Sequence, residues 1–132
     1  MRNVPWRRRR GERPGPDFSH VDSLEKAEQL AARGELTRLH LMPLEFGGVD
    51  DPRNVVHVPP FVVDLKHGID TNVVRPLIEQ GQVRSYEATP QYEGASFVPC
   101  AIEIRASDPQ EFRTSLKIWG EALRDDGETG GP

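Results

Sequence analysis

The sequence lacks cysteine pairs and long apolar runs, and each absence excludes a class of protein. Its 132 residues include one cysteine, Cys100, which excludes an internal disulfide framework and a zinc site made from cysteines of this chain. No stretch of 18 apolar residues occurs, and no apolar segment follows the basic N-terminus. We therefore expect neither a transmembrane helix nor a secretory signal. The prediction is a soluble, cytoplasmic protein without a membrane partner, with secretion by a dedicated system left open.

The composition and the charge distribution describe one loop-rich domain with an acidic body. Glycine and proline make up 24 of the 132 residues, and apolar residues make up 36%. The net charge is -4, but residues 1–13 hold six of the 17 basic residues and a single acidic one. The rest of the chain, with 11 basic and 20 acidic residues, carries -9. This net negative charge differs from the broad positively charged surface of most nucleic-acid-binding proteins.

Both ends of the chain are predicted to lie outside the folded domain. Residues 1–18 combine four consecutive arginines with Pro-Gly turns and few apolar residues, which predicts a disordered basic arm. The arm either keeps the protein soluble or contacts phosphates of a nucleic acid through Arg7, Arg8, Arg9 and Arg10. Residues 123–132 are polar and glycine-rich and predict a flexible tail. Residues 19–122 are then a single domain.

Local patterns predict two short helices in the first two thirds of that domain. "VDSLEKAEQLAARGE" has Asp22 or Ser23 as its N-cap and a leucine and alanine stripe on one face. "DTNVVRPLIEQGQ" has Asp70 or Thr71 as its cap, and Pro76 is expected to shorten or bend it.

Between the two helices, residues 36–44 and "NVVHV" are predicted to form short strands, with Pro59-Pro60 ending the second. The last third alternates polar and apolar residues in three segments, "QVRSYEATPQY", "FVPCAIEIRAS" and "EFRTSLKIW". This alternation predicts a three-stranded antiparallel sheet, in which Phe97 occupies a strand position and "EGAS" a hairpin turn. The fold class is therefore α+β.

The order of features around His40 resembles a known family of nucleases. "TRLHLMPLEFGGVDDPRNVV" and the later "TPQYEGASFVPC" are similar to the bacterial DNA/RNA non-specific endonucleases of the His-Me finger (ββα-metal) type, including their toxin-associated branch. The resemblance covers Thr37 to Arg105. The matching residues in the first segment are Arg38, His40, Leu41, Phe46, Gly47, Gly48, Asn54 and Val56, and those downstream are Val83, Pro90, Tyr92, Gly94 and Pro99.

The resemblance implies a ββα-metal-like core and a set of site residues. His40 would be the general base, the Asn54 amide would brace the histidine loop, and Arg38 would contact substrate. Asp64 would ligate Mg²⁺ or Mn²⁺, and Asp70 matches the supporting glutamate. Asn72 and Glu79, seven residues apart, are an alternative pair of ligands.

Two residues depart from the family pattern, and two functions follow. Thr37 and Leu39 stand where the family has an acidic residue and a glycine. The first function is metal-dependent hydrolysis of DNA or RNA, with nucleic acid as the partner. The second is an inactive relative that binds a protein partner as an interaction or regulatory module linked to a bacterial toxin system.

Overall fold

The computed structural model describes residues 16–123, and two small sheets and a helical run with a π-helical turn organise this part of the chain. The predicted basic residues Arg7 to Arg10 and most of the predicted tail lie outside the described residues. The helices are α1 (Leu24–Ala32), α2 (Pro60–Ile69) and α3 (Arg75–Glu79). The strands are β1 (Thr37–His40), β2 (Val55–Val58), β3 (Ser85–Gln91), β4 (Ala101–Ser107) and β5 (Glu111–Lys117).

The predicted α+β class and the three-stranded antiparallel sheet are confirmed. β3, β4 and β5 pair in sequence order, and β1 pairs with β2 in a separate antiparallel hairpin. The strand position predicted for Phe97 is wrong, because β4 begins at Ala101 and residues 92–100 form a connection longer than a hairpin turn. Within this connection the Ser96 hydroxyl accepts a hydrogen bond from the Val98 amide, and Phe97 is exposed.

The Pro59-Pro60 pair ends β2 as predicted, but it also begins a helix that the sequence patterns did not indicate. Pro60 is the first residue of α2, where a missing N–H costs nothing because the first amides of a helix have no partner within it. The segment after β2 is therefore helical, and the hairpin is followed directly by a helix. Residues 37–69 thus have the order strand, strand, helix.

Asp70 is not the N-cap of the second predicted helix, because the helical run continues through it. A π-helical turn, Asp70–Val74, links α2 to α3 and places Pro76 in the first turn of α3. The proline therefore does not end the helical run, because it lies where a missing N–H is tolerated, directly after the π-helical turn. π-Helical turns are rare and are often found at functional sites.

The main core lies between α1, α2, the hairpin and the larger sheet. α1 begins at Ser23, whose Oγ accepts the Lys26 amide, and it buries Ala27. Phe18, the last residue of the predicted arm, packs edge-on against the buried Trp119 and so belongs to the folded part of the chain. The other buried residues of this core are Val21, Leu36, Leu39, Val56, Val58, Val62, Val98, Cys100, Ile102, Ile104, Leu116 and Ile118. Within residues 16–123, no helix is long and apolar enough to cross a membrane.

Candidate active-site cleft around His40

His40 is the last residue of β1, and its ring is held by an aspartate from the following loop. His40 Nε2 lies 3.0 Å from Asp50 Oδ1, and the Arg38 guanidinium donates to the same oxygen at 3.2 Å. The hydrogen bond from His40 and the charge of Arg38 hold the pKa of Asp50 below its usual range. An ionised carboxylate only accepts hydrogen bonds, so the contact with Asp50 favours the tautomer in which Nε2 carries the proton and Nδ1 is the basic nitrogen.

The Asn54 amide braces the loop between the two hairpin strands, residues 41–54, which we call the histidine loop. Its oxygen accepts from the Met42 amide at 2.8 Å, and its nitrogen donates to the carbonyls of Met42 and Val49 at 3.0 and 2.8 Å. Three bonds from one side chain fix both ends of residues 42–49. Since Asp50 follows Val49 directly, these bonds also set the position of the carboxylate that holds His40.

The two loop glycines serve different geometric needs. Gly47 has φ +103°, a backbone conformation that residues with a Cβ rarely adopt. Gly48 is needed for space, because a Cβ built on it would lie 2.0 Å from the Met42 carbonyl oxygen. The Gly-Gly pair therefore lets the loop close tightly on itself beside Asn54.

One face of α2 forms the side of the cleft opposite the hairpin. Val63, Lys66, His67 and Asp70 follow the three- and four-residue spacing that places side chains on one face of a helix. The cleft has a volume of about 190 Å³. It is lined by Arg38, Leu39, His40, Pro43, Leu44, Val63, Lys66, His67 and Asp70.

Below the cleft, Lys66, Asp70 and Tyr86 form a buried polar cluster. Lys66 Nζ donates to Asp70 Oδ2 at 2.7 Å and to the Tyr86 hydroxyl at 2.9 Å, and that hydroxyl donates to Asp70 Oδ1 at 2.8 Å. Burial lowers the pKa of Lys66, and the bond to Asp70 opposes that shift. Burial and the Asp70 charge raise the pKa of Tyr86. Phe46 packs edge-on against Tyr86, so the cluster also supports the histidine loop.

The structure brings some of the predicted site residues together and separates others. His40, Arg38 and Asp70 line the cleft, and Asn54 lies behind it in the loop. Asp64 lies on a different side of α2 and lines another cavity, together with Thr37 and residues of the α1 to β1 connection. Asn72 and Glu79 are exposed and line neither of these cavities.

The two aspartates predicted for the metal site do not present a free carboxylate beside His40. Both oxygens of Asp70 accept hydrogen bonds, one from Lys66 and one from Tyr86. The positive charge beside this carboxylate is therefore the Lys66 ammonium group. Among residues 16–123, no group of three or more His, Cys, Asp or Glu side chains is placed to hold a metal ion. Mg²⁺ and Mn²⁺ prefer carboxylate and other oxygen ligands, and the Asp70 carboxylate already bonds to Lys66 and Tyr86.

Sequence reasoning missed Asp50, Lys66, His67 and Tyr86 as members of the site. If a helix is assumed to begin at Pro60, the spacing of Lys66, His67 and Asp70 places their side chains on one helix face. Asp50 and Tyr86 carry no such local signal, because each meets its partner only through the fold.

Comparison with known proteins adds no relative: no family model matches the chain, and neither a curated protein nor a solved structure matches it significantly. A functional proposal for this chain therefore depends on the chemistry of the cleft.

Proposed function

We propose that the chain is a nuclease-like phosphodiesterase in which His40 is the general base. One observation carries the proposal: the His40 ring is held by the Asp50 carboxylate at an open cleft that also presents Arg38. A base that is oriented by a third group is the usual arrangement for activating a hydroxyl or water nucleophile. A guanidinium beside it suits the charge of a phosphodiester.

The order of the elements supports the same proposal. His40 ends the first strand of a hairpin, Asn54 directly precedes the second strand, and α2 follows. This order agrees with the ββα arrangement that the sequence resemblance implies. In this proposal Asn54 and Asp70 are positioning residues, because their polar atoms bond to the loop backbone and to Lys66 and Tyr86. The Arg7 to Arg10 segment would hold the nucleic acid through its phosphates.

The proposal is tested by incubating the full chain with plasmid DNA and with RNA. Each substrate is offered with Mg²⁺, with Mn²⁺ and with EDTA, so the metal predicted from the resemblance is tested in the same experiment. We expect cleavage of at least one substrate by the wild type and a loss of about 10²- to 10⁴-fold in His40→Ala. His20→Ala, which changes an exposed histidine in a turn before α1, is the matched control and should keep full activity. Intact substrates in every wild-type reaction would contradict the proposal.

A non-catalytic interaction module is the second candidate, and two observations favour it. The described part of the chain places no three potential ligands for a metal together, and α2 exposes Phe61 and Leu65 one turn apart. Exposed apolar side chains at this spacing suit a contact with a protein partner. This candidate predicts no cleavage in any reaction and no heat of Mg²⁺ or Mn²⁺ binding by calorimetry. Tight 1:1 metal binding that is lost in Asp64→Ala would contradict it.

A further inference from the structure

We propose that His40 and His67 form an acid and base pair that cleaves RNA without a metal ion. This inference rests on the proposed function and extends it by naming a second catalytic residue and the substrate class. Two features of the cleft support it: the described residues place no three His, Cys, Asp or Glu side chains together around a metal position, and a second histidine lines the cleft.

The two histidines reach the cleft from different elements. His40 comes from the end of β1 and His67 from α2, and both line the same cavity. The His67 ring is exposed, and its Nε2 makes only a long 3.5 Å contact with Thr71 Oγ1. His67 is therefore available to a substrate, while His40 is oriented by Asp50.

The cavity volume suits one linkage of a polymer. At about 190 Å³ it is smaller than the roughly 300–1,000 Å³ of pockets that enclose a whole drug-sized ligand. A single phosphodiester group would enter it, and the flanking nucleotides would stay outside. The Arg38 guanidinium lines the same cavity and would contact the non-bridging oxygens.

These groups complete a balanced reaction on RNA. His40 takes the proton of the ribose 2′-hydroxyl, and O2′ attacks phosphorus and forms the new O2′–P bond. The P–O5′ bond breaks, and protonated His67 gives its proton to O5′. The products are a 2′,3′-cyclic phosphate and a 5′-hydroxyl, with no water, metal or oxidant consumed. Arg38 stabilises the charge that develops on the non-bridging oxygens, as preorganised cationic donors do.

The nucleophile fixes the substrate class. DNA lacks the 2′-hydroxyl, so it is not a substrate of this reaction. RNA that carries a 2′-O-methyl group at every position lacks the transferable proton and is equally resistant.

The test uses the full-length protein in EDTA with three oligonucleotides of one sequence, made as RNA, 2′-O-methyl RNA and DNA. We expect cleavage of the RNA alone, with mass spectrometry showing 2′,3′-cyclic phosphate and 5′-hydroxyl ends. His67→Ala should lower the rate by about 10²- to 10⁴-fold, and His20→Ala should not change it. Urea unfolding of each variant verifies that it is folded.

The outcomes separate this inference from the function on which it rests. Cleavage that requires Mg²⁺ or Mn²⁺, acts on DNA as well and persists in His67→Ala would overturn the histidine pair while leaving His40 as the base of a nuclease. RNA products with 5′-phosphate ends would also overturn it. The absence of cleavage in all wild-type reactions, with or without metal, would remove both proposals.

Discussion

Gly48 shows how a single backbone position controls the geometry of the histidine loop. A Cβ at this position would lie 2.0 Å from the Met42 carbonyl oxygen, a backbone atom that cannot rotate away. Met42 is also the residue whose amide and carbonyl bond to Asn54. A shift at Gly48 would therefore disturb the bonds that hold the loop and, through the loop, Asp50.

We predict that Gly48→Ala lowers the free energy of unfolding by about 1–3 kcal/mol, the usual range for overpacking. Gly68→Ala is the matched control, because a Cβ at Gly68 meets no atom within 4 Å outside its own helix. That change in α2 should stabilise the protein by about 0.5–1 kcal/mol, since alanine favours a helix more than glycine does. Urea unfolding of both variants measures the difference, and equal effects would contradict the loop geometry.

At the residue scale, the sequence indicated His40, the glycine turn and Asn54, because each residue type has a local role in a tight loop. It did not indicate Asp50 as the partner of His40. Asp50 and Asp51 are adjacent and chemically identical, and only the fold of the loop makes Asp50 face the ring while Asp51 caps the next turn.

At the scale of elements, the buried cluster of Lys66, Asp70 and Tyr86 joins the helical run to β3. Lys66 comes from α2, Asp70 begins the π-helical turn, and Tyr86 lies in β3. The side chains of Lys66 and Asp70 are 2% and 5% exposed, so neither charge can recover its hydration if the other is removed.

Asp70→Asn should therefore lower the free energy of unfolding by about 3–5 kcal/mol, because it leaves the Lys66 ammonium buried without an opposite charge. Tyr86→Phe should lower the free energy of unfolding by about 1–3 kcal/mol through the loss of its two hydrogen bonds.

The double change Lys66→Met and Asp70→Leu should lower the free energy of unfolding by less than Asp70→Asn alone, since it removes both charges. The single changes Lys66→Met and Asp70→Leu complete the comparison in chemical denaturation, and a double change as destabilising as their sum would show that the pair is not coupled.

The elements that sequence patterns predicted best are those with a clear period. The alternation in β3, β4 and β5 indicated the antiparallel sheet, and the capped leucine and alanine stripe indicated α1. α2 lacks so clear a signal, because a Pro-Pro pair is typical of the end of a strand and also of the first turn of a helix. Without a predicted α2, the sequence does not place Val63, Lys66, His67 and Asp70 together on the side of a helix that lines the cleft.

At the scale of the whole molecule, surface charge pairs and a buried histidine determine the response to acid. The carboxyls of Asp22, Asp50 and Glu111 are bonded to basic partners, which hold the pKa of each below its usual 3.8 or 4.5. Burial lowers the pKa of His57 below its usual 6.5. In each case the unfolded chain binds protons more readily than the folded one, so the folded state loses stability as pH falls.

We predict that the free energy of unfolding begins to fall below about pH 6.5 as His57 of the unfolded chain becomes protonated, and falls further below about pH 4.5 as the carboxyls follow. Salt at 1 M should weaken the second stage, because exposed charge pairs are screened, but not the first, which comes from burial. Urea titrations from pH 8 to pH 3 measure both stages. Stability that does not change over this range would contradict the assigned partners.

Composition and alternation were sufficient to predict the α+β class of the whole molecule, but not how its parts meet. The cleft exists because α2 packs against the hairpin while Tyr86 reaches Asp70 from a strand 16 residues further along the chain. Contacts of this kind depend on the tertiary arrangement, which a single sequence does not encode in any local period. The side chains that could bind a metal ion are also brought together or kept apart only by this tertiary arrangement.

The proposed role of His40 as a base on a phosphodiester is tested most directly by the initial rate at which purified protein cleaves an end-labelled RNA. The rates of the wild type, His40→Ala, Asp50→Asn and His20→Ala are compared in EDTA and in Mg²⁺. We predict a loss of about 10²- to 10⁴-fold in His40→Ala, a smaller loss in Asp50→Asn and no change in His20→Ala. Equal rates in the wild type and His40→Ala, or no cleavage by either, would contradict this role.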